Sequence, residues 1–222
     1  MVPRRPPAVG RPPLAVPAAA LCAALCALLV VVVMAGGNDP LALDRAAHEW
    51  ALRHRTPGWD DVFTVVSASG TRVPAVLLAM AAGALAARHA WWFGAVAGGA
   101  ALLLALLFRF TLVTVIDRPR PPEADWVIHV HNPSLPSGHA TTSALVAIGL
   151  AVALLTRCRR PWTRALAVGV PALWAVAIGF SRVYLGVHWV SDVVAGWLLA
   201  TALSCAFLPL LGRALDRYPR AP

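Results

Sequence analysis

The chain has 222 residues, of which 59% are hydrophobic and only 13% are charged. A soluble domain carries about twice that charged fraction, and the apolar residues here form runs too long for a soluble core. The composition therefore indicates one membrane-embedded unit without a second domain. The net charge of +9 comes from nineteen arginines and no lysine. Because these arginines are scattered among apolar runs and do not line one face, no nucleic-acid partner is predicted.

Six apolar runs predict an all-α fold, a six-transmembrane helix bundle in a lipid bilayer. The first run is longer than the roughly 7–15 apolar residues of a signal peptide, so we interpret it as a retained helix. The proline-rich segment 1–13 is predicted to be disordered, 14–211 to form the membrane domain, and 212–222 to be a tail. In chain order the predicted spans are Leu14–Met34, Val73–Ala87, Trp91–Ile116, His139–Thr156, Trp162–Phe180 and Trp189–Leu211.

The arginines determine the predicted orientation. They cluster before the first span, at Arg88 after the second, around residues 157–164 after the fourth, and in the tail. In a six-span bundle all of these positions lie on one side. Because cytoplasmic loops are enriched in basic residues, both termini are placed in the cytoplasm of a plasma-membrane protein. The outer side then receives the segments 35–72, 117–138 and 181–188.

The outer segment 35–72 follows the first span. Apolar residues that include Leu43 and Trp50 recur among charged ones at helical spacing, which predicts an amphipathic helix in the periplasmic or extracellular interface. Pro57, Gly58 and Trp59 are predicted to break this helix. Packing of the helix against the bundle is our interpretation, and substrate gating is the alternative.

The last outer segment carries a histidine and a carboxylate at helical spacing. His188 and Asp192 are four residues apart at the start of a span, so they share one helix face. An aspartate in this position orients the imidazole and leaves its other nitrogen as a free base. A histidine held in this way is able to attack phosphorus and form a covalent intermediate. A purely structural His–Asp pair explains these two residues equally well when they are taken alone.

The other two outer clusters supply sites for an anion. In Pro136-Ser137-Gly138-His139, Ser137 resembles a helix N-cap, and the helix that follows presents free N–H groups to an anion. His139 in its first turn is a candidate general acid. Arg118 and Arg120, after the third span, are able to present planar forks to phosphate, as is Arg182. Headgroup contact at the interface is the alternative role for Arg118 and Arg120. All three clusters fall at one membrane depth, which predicts a single phosphate site.

These residues resemble the signature of the type-2 phosphatidic acid phosphatase family, which also includes vanadium haloperoxidases and glucose-6-phosphatase. The signature reads Lys-x6-Arg-Pro, Pro-Ser-Gly-His and Ser-Arg-x5-His-x3-Asp. The chain has the second part at 136–139, the third at 181–192, and the end of the first at Arg120-Pro121. The resemblance implies that His188 is the nucleophile, that Asp192 assists it, and that His139 protonates the leaving group. It also implies that Arg120, Ser137, Gly138 and Arg182 bind phosphate without a metal or another cofactor.

The chain departs from this signature at the lysine. The position seven residues before Arg120 is Val113, and the one before Arg118 is Thr111. Arg109 lies one turn before Val113, but helical side chains lean toward their own N-terminus, here away from the outer surface. We therefore expect Arg109 to replace the lysine incompletely. Three outcomes stay open: Arg118 compensates, activity is lower, or the substrate carries a different charge.

The sequence favours hydrolysis of a lipid phosphate or diphosphate, with polyprenyl diphosphate preferred over phosphatidic acid and phosphatidylglycerophosphate because the site faces outward. Two alternatives remain open, a lipid phosphotransferase with the same first half-reaction and a non-catalytic lipid-phosphate binding or transport protein. His129 and His131 are interpreted as loop residues, and no metal site is predicted. His48, His54 and His89 are interpreted as interface or surface residues. The sequence does not indicate an oligomeric state.

Overall fold

The computed structural model describes residues 14–87 and 90–217. The segment 1–13 that was predicted to be disordered, the loop residues Arg88 and His89, and the end of the tail from 218 lie outside the described residues. The described residues form helices and connecting loops without a β-strand. The prediction of an all-α chain is therefore confirmed. The helices are α1 Ala15–Ala35, α2 Ala42–His54, α3 Pro57–Ser69, α4 Arg72–Ala86, α5 Trp91–Ile116, α6 Gly138–Leu155, α7 Pro161–Tyr184 and α8 Val190–Arg217.

Five of these helices, α1, α5, α6, α7 and α8, are long and apolar enough to cross a bilayer. The α3–α4 pair is bent by 46° and provides a sixth span if the pair crosses as one unit. The chain is thus a multi-pass membrane protein with five or six spans among the residues that the structure describes. Helix α3 was not predicted. Thr56 caps it, with its side chain accepting the N–H of Trp59, and Pro57 occupies the first turn, where its missing N–H is not needed.

Small residues bring α4 and α5 close together. A Cβ atom at Gly94 would overlap the carbonyl oxygen of Gly83, and one at Gly98 would overlap that of Ala79. Helix pairs in membranes pack through such small residues because lipid supplies little hydrophobic driving force for association. Helix α6 packs against α4, α7 and α8.

Backbone hydrogen bonds tie the loop after α5 to the turn between α7 and α8. The Ser137 N–H donates to the carbonyl oxygen of Asp192 at 3.0 Å, and the Val127 N–H donates to that of Leu185 at 3.1 Å. The Ser134 N–H donates to the carbonyl oxygen of Arg118 at 2.9 Å, which closes the loop on itself. The three outer clusters of the sequence therefore meet at one end of the bundle.

Candidate active site

His188 and Asp192 form a buried pair in the turn that leads into α8. The Nδ1 atom of His188 lies 3.2 Å from Oδ2 of Asp192, and the same oxygen accepts the Trp189 N–H at 2.9 Å. His188 is 1% exposed and Asp192 is fully buried. An aspartate on Nδ1 favours the tautomer in which Nδ1 carries the proton. The Nε2 atom of His188 is thereby the free base.

The Nε2 atom of His188 faces Arg120. Its distance to Nη1 of Arg120 is 2.9 Å, and the same guanidinium donates to the carbonyl oxygens of Asn132 and Val187 at 2.5 Å each. Burial lowers the pKa of Arg120 to about 10, so it stays charged at neutral pH. Burial, together with the positive charges of Arg120 and Arg182, lowers the pKa of His188 well below its ordinary value. His188 is therefore neutral and nucleophilic across the neutral range.

The start of α6 presents the second histidine. The Ser137 side chain accepts the Ala140 N–H at 3.5 Å and caps the helix. Gly138 and His139 follow in the first turn, where backbone N–H groups point out of the helix. The side chain of His139 makes no hydrogen bond to the described residues. It lies within electrostatic reach of the guanidinium groups of Arg182 and Arg120, so both imidazoles lie beside the same cations.

Arg182 is 1% exposed near the end of α7. Its Nη1 atom donates to the Ser67 hydroxyl of α3 at 2.6 Å, while its buried Nε–H has no hydrogen-bond partner among the described residues. A buried guanidinium N–H without an acceptor is costly. A phosphate oxygen is an acceptor of the right charge, so this arrangement suits an anion.

Arg109 also reaches this site. Its Nε and Nη2 atoms donate to the Pro136 carbonyl oxygen at 2.8 and 2.5 Å, and a Cβ atom at Gly138 would lie 3.3 Å from its Cζ and Nη1 atoms. We expected its side chain to lean away from the outer surface. The lean does not separate it from the site, because the start of α6 lies level with Arg109. Arg109 precedes Ile116, the last residue of α5, by two helical turns, or about 10 Å.

Arg118 faces the opposite side of Asp192 from the imidazole. It is fully buried, and each of its five N–H groups has an acceptor. No donor remains for a phosphate oxygen. These contacts favour a role in holding Asp192 over the phosphate contact expected from the sequence. The acceptors are the backbone oxygens of Asn38 and Asp39 and the side chains of Asp44, Ser191 and Asp192.

Two polar residues of α2 were missed in the sequence. Asp44 is 1% exposed and pairs with Arg118. His48 was interpreted as an interface or surface residue, but it is only 7% exposed. Its Nε2 atom lies 2.9 Å from the Asp125 carboxylate, and its ring makes an edge-to-face contact with Trp189. An aspartate and a histidine are ordinary residues on the polar face of an amphipathic helix. The spacing of polar and apolar residues in this segment therefore did not predict that their side chains are buried.

A cleft of about 630 Å³ lies among residues 117–133 of the loop after α5. Arg120, which faces the imidazole of His188, lines this cleft, whereas His188 itself does not. His131 lines this cleft, whereas His129 does not. Across residues 14–87 and 90–217, no group of three histidine, cysteine or acidic side chains has the geometry of a metal site.

A protein-family model matches the part of the chain that contains these residues. The model of the PAP2 superfamily matches residues 94–215, which include His139, His188 and all four arginines described above beside them. The chain also has the fold of the first transmembrane PAP2-type phosphatidylglycerolphosphate phosphatase from Bacillus subtilis. The two structures superpose with a TM-score of 0.67 at 24% identity, over 90% of this chain and 98% of that one.

Two curated relatives extend the comparison. Phosphatidylglycerophosphatase B of Bacillus subtilis is 29% identical over 185 residues, which cover 79% of this chain and 86% of that protein. The undecaprenyl-diphosphatase of Sulfolobus acidocaldarius is 37% identical over 97 residues, which cover 44% of this chain and 38% of that protein. The chain thus spans well under half the length of this second relative.

Proposed function

Because the chain belongs to the PAP2 superfamily, we propose that it is a membrane phosphatase that hydrolyses lipid phosphates or diphosphates. The membership confirms the resemblance predicted from the three motifs. The observation that carries the proposal is the Nε2 atom of His188, which is held as a free base by Asp192 and faces Arg120 at 2.9 Å. A structural His–Asp pair does not need cations around its free nitrogen, whereas a phosphoryl acceptor does.

The proposed reaction has two steps at this atom. The Nε2 atom of His188 forms a bond to phosphorus while the bond from phosphorus to the leaving oxygen breaks, and protonated His139 gives that oxygen a proton. The leaving oxygen is the lipid oxygen of a monophosphate or the bridging oxygen of a diphosphate. His139 then takes a proton from water, whose oxygen attacks the phosphohistidine. The P–N bond breaks, inorganic phosphate leaves, and His188 returns to its neutral form.

Three guanidinium groups stabilise the charge on the transferring phosphoryl group in this proposal. Arg120 lies beside the nucleophile, Arg182 has an unpaired buried Nε–H, and Arg109 lies beneath the backbone of Gly138. The free N–H groups at the start of α6 add to this field. Phosphoryl transfer depends mainly on such positioning and charge, so this set of residues suffices without another chemical group.

The proposed substrate is an amphiphile that enters from the outer leaflet. Arginines concentrate on the opposite side in a six-span arrangement, which favours cytoplasmic termini and an outward site. Helix α2, with Trp50 40% exposed, suits the predicted outer interface. The names of the two curated relatives point to an undecaprenyl diphosphate and a phosphatidylglycerophosphate. Polyprenyl diphosphate remains our preferred substrate among the lipid phosphates.

The test uses the full chain purified in detergent with EDTA present. Phosphate release is measured from phosphatidic acid, phosphatidylglycerophosphate and a polyprenyl diphosphate, for the wild type, His188→Ala and His54→Ala. His54 is exposed on α2, so its variant is the matched histidine control. We expect release by the wild type and the control and none by His188→Ala.

Three outcomes would contradict the proposal. Turnover retained in His188→Ala would refute the assigned nucleophile. Failure of the wild type to release phosphate from any of the three lipids, while it binds them, would favour the non-catalytic alternative. With labelled donor lipid, the appearance of a labelled second lipid in place of free phosphate would favour a phosphotransferase.

A further inference from the structure

Asp44 connects α2 to the start of α8. Its carboxylate accepts the Leu41 N–H at 3.0 Å, the Ser191 N–H at 2.8 Å and the Ser191 hydroxyl at 2.6 Å. It also accepts Nη2 of Arg118 at 3.0 Å. Three of these donors contact Oδ2 and one contacts Oδ1, so both oxygens of this buried carboxylate are hydrogen-bonded. Asp44 therefore holds Ser191, the residue before Asp192, through both the backbone N–H and the hydroxyl of Ser191.

Arg118 joins Asp44 to Asp192. Its Nη2 atom lies 3.0 Å from Asp44 and its Nη1 atom 2.6 Å from Oδ1 of Asp192, while Oδ2 of Asp192 faces His188. All four side chains are at most 1% exposed. Charge interactions are strong in such a desolvated group because water does not screen them.

Asp44 also determines how Arg118 is shared between the two carboxylates. With Asp44 present, only Nη1 of Arg118 contacts Asp192, and Oδ2 of Asp192 is left for His188 and the Trp189 N–H. Without the charge of Asp44, Nη2 of Arg118 loses its charged partner and keeps only the Asp39 carbonyl oxygen. An arginine and a single carboxylate favour a two-pronged pair. That pair would draw Oδ2 of Asp192 away from the Nδ1–H of His188.

We propose that Asp44 is a positioning residue for the nucleophile, acting through Arg118 and Asp192. This inference rests on the proposed role of His188. Asp44 lies outside residues 94–215, the part of the chain that matches the PAP2 model. Helix α2 thus contributes the third member, after Asp192 and Arg118, to the charge chain behind the imidazole.

The first test measures the imidazole directly and does not require turnover. The full chain with ¹⁵N-histidine in detergent micelles gives the protonation of Nδ1 and Nε2, and the spectrum of His188→Gln identifies the signals of His188. We expect the wild type to carry its proton on Nδ1 alone. Asp44→Asn should show a mixture of both tautomers. Glu49→Gln, which removes an exposed carboxylate from the same helix, should match the wild type.

The second test measures kinetics with the best lipid substrate. Asp44→Asn should lower kcat about tenfold and leave KM within about twofold, because the phosphate-binding arginines are untouched. Arg118→Lys should also lower kcat, and the double variant should be no slower than the slower single variant, since both act on one chain of contacts. Additive losses would instead indicate that Asp44 only anchors α2.

A wild-type tautomer in Asp44→Asn would overturn the inference whether or not the protein is a phosphatase. A mixed tautomer in a chain without turnover would support Asp44 as a positioning residue and refute the proposed function. If Asp44→Asn does not fold, Asp44→Ser replaces it, because serine removes the same charge and still offers a hydroxyl oxygen to the neighbouring N–H groups. A single Nδ1 tautomer in Asp44→Ser would then overturn the inference.

Discussion

Arg109 provides the sharpest test of how the chain works without the lysine of its family signature. Its guanidinium lies against Gly138 and binds the Pro136 carbonyl oxygen through two donors. We predict that its positive charge, and not only these hydrogen bonds, supports catalysis. Arg109→Gln and Arg109→Lys separate the two contributions, because both side chains are able to donate to Pro136 and only lysine is charged.

The expected magnitude follows from the burial of the site. A unit charge about 5 Å from a phosphoryl oxygen contributes about 3 kcal/mol at an effective dielectric constant of about 20. Each ~1.4 kcal/mol is a factor of ten in rate. Arg109→Gln should therefore lower kcat/KM about 100-fold. Arg109→Lys retains the positive charge but loses the planar guanidinium group with its paired donors. We expect kcat/KM of this variant to fall about tenfold.

The assay is phosphate release from a lipid phosphate in mixed micelles with EDTA, with Arg53→Gln as the control because that side chain is 66% exposed. Val113→Lys, added to Arg109→Gln, restores a lysine at the signature position and should recover at least tenfold. Equal activity of Arg109→Gln and Arg109→Lys would refute the role of the charge and leave Arg109 as a support for the α6 start.

Three further predictions concern the histidines and Gly138. His188 is buried and stays neutral in the folded protein, whereas in the unfolded chain it gains a proton below about pH 6.5. The free energy of unfolding therefore falls as the pH drops. The difference between the thermal midpoints at pH 7.5 and pH 5.5 should be smaller in His188→Gln than in the wild type. His139→Gln should slow release from an alkyl phosphate at least about tenfold more than from p-nitrophenyl phosphate, whose leaving group needs little protonation; equal slowing would exclude the general-acid role. Gly138→Ala should lower kcat/KM about tenfold with an unchanged thermal midpoint, because its Cβ would press on Arg109; wild-type kinetics would show that Arg109 does not act there.

Several features were predictable from local sequence alone. The apolar runs predicted the long helices, since a bilayer-spanning helix needs about 20 apolar residues. The predicted third span, Trp91–Ile116, has the bounds of α5. Ser137 was predicted as an N-cap, and its side chain accepts the Ala140 N–H. Helix α3 was missed because Pro57 and Gly58, read as a break, form its first turn.

Residue types and spacings determined the helices and their caps, because these depend on neighbours within a few residues. The order of the predicted spans placed His139, His188 and Asp192 at the same end of the bundle. Only the tertiary structure decided which charges are buried together. It brought Arg109 under the start of α6 and enclosed Arg118 between Asp192 and Asp44, a residue 74 positions before it. Desolvation and pairing of charges depend on packing between distant segments, and no local pattern records that packing.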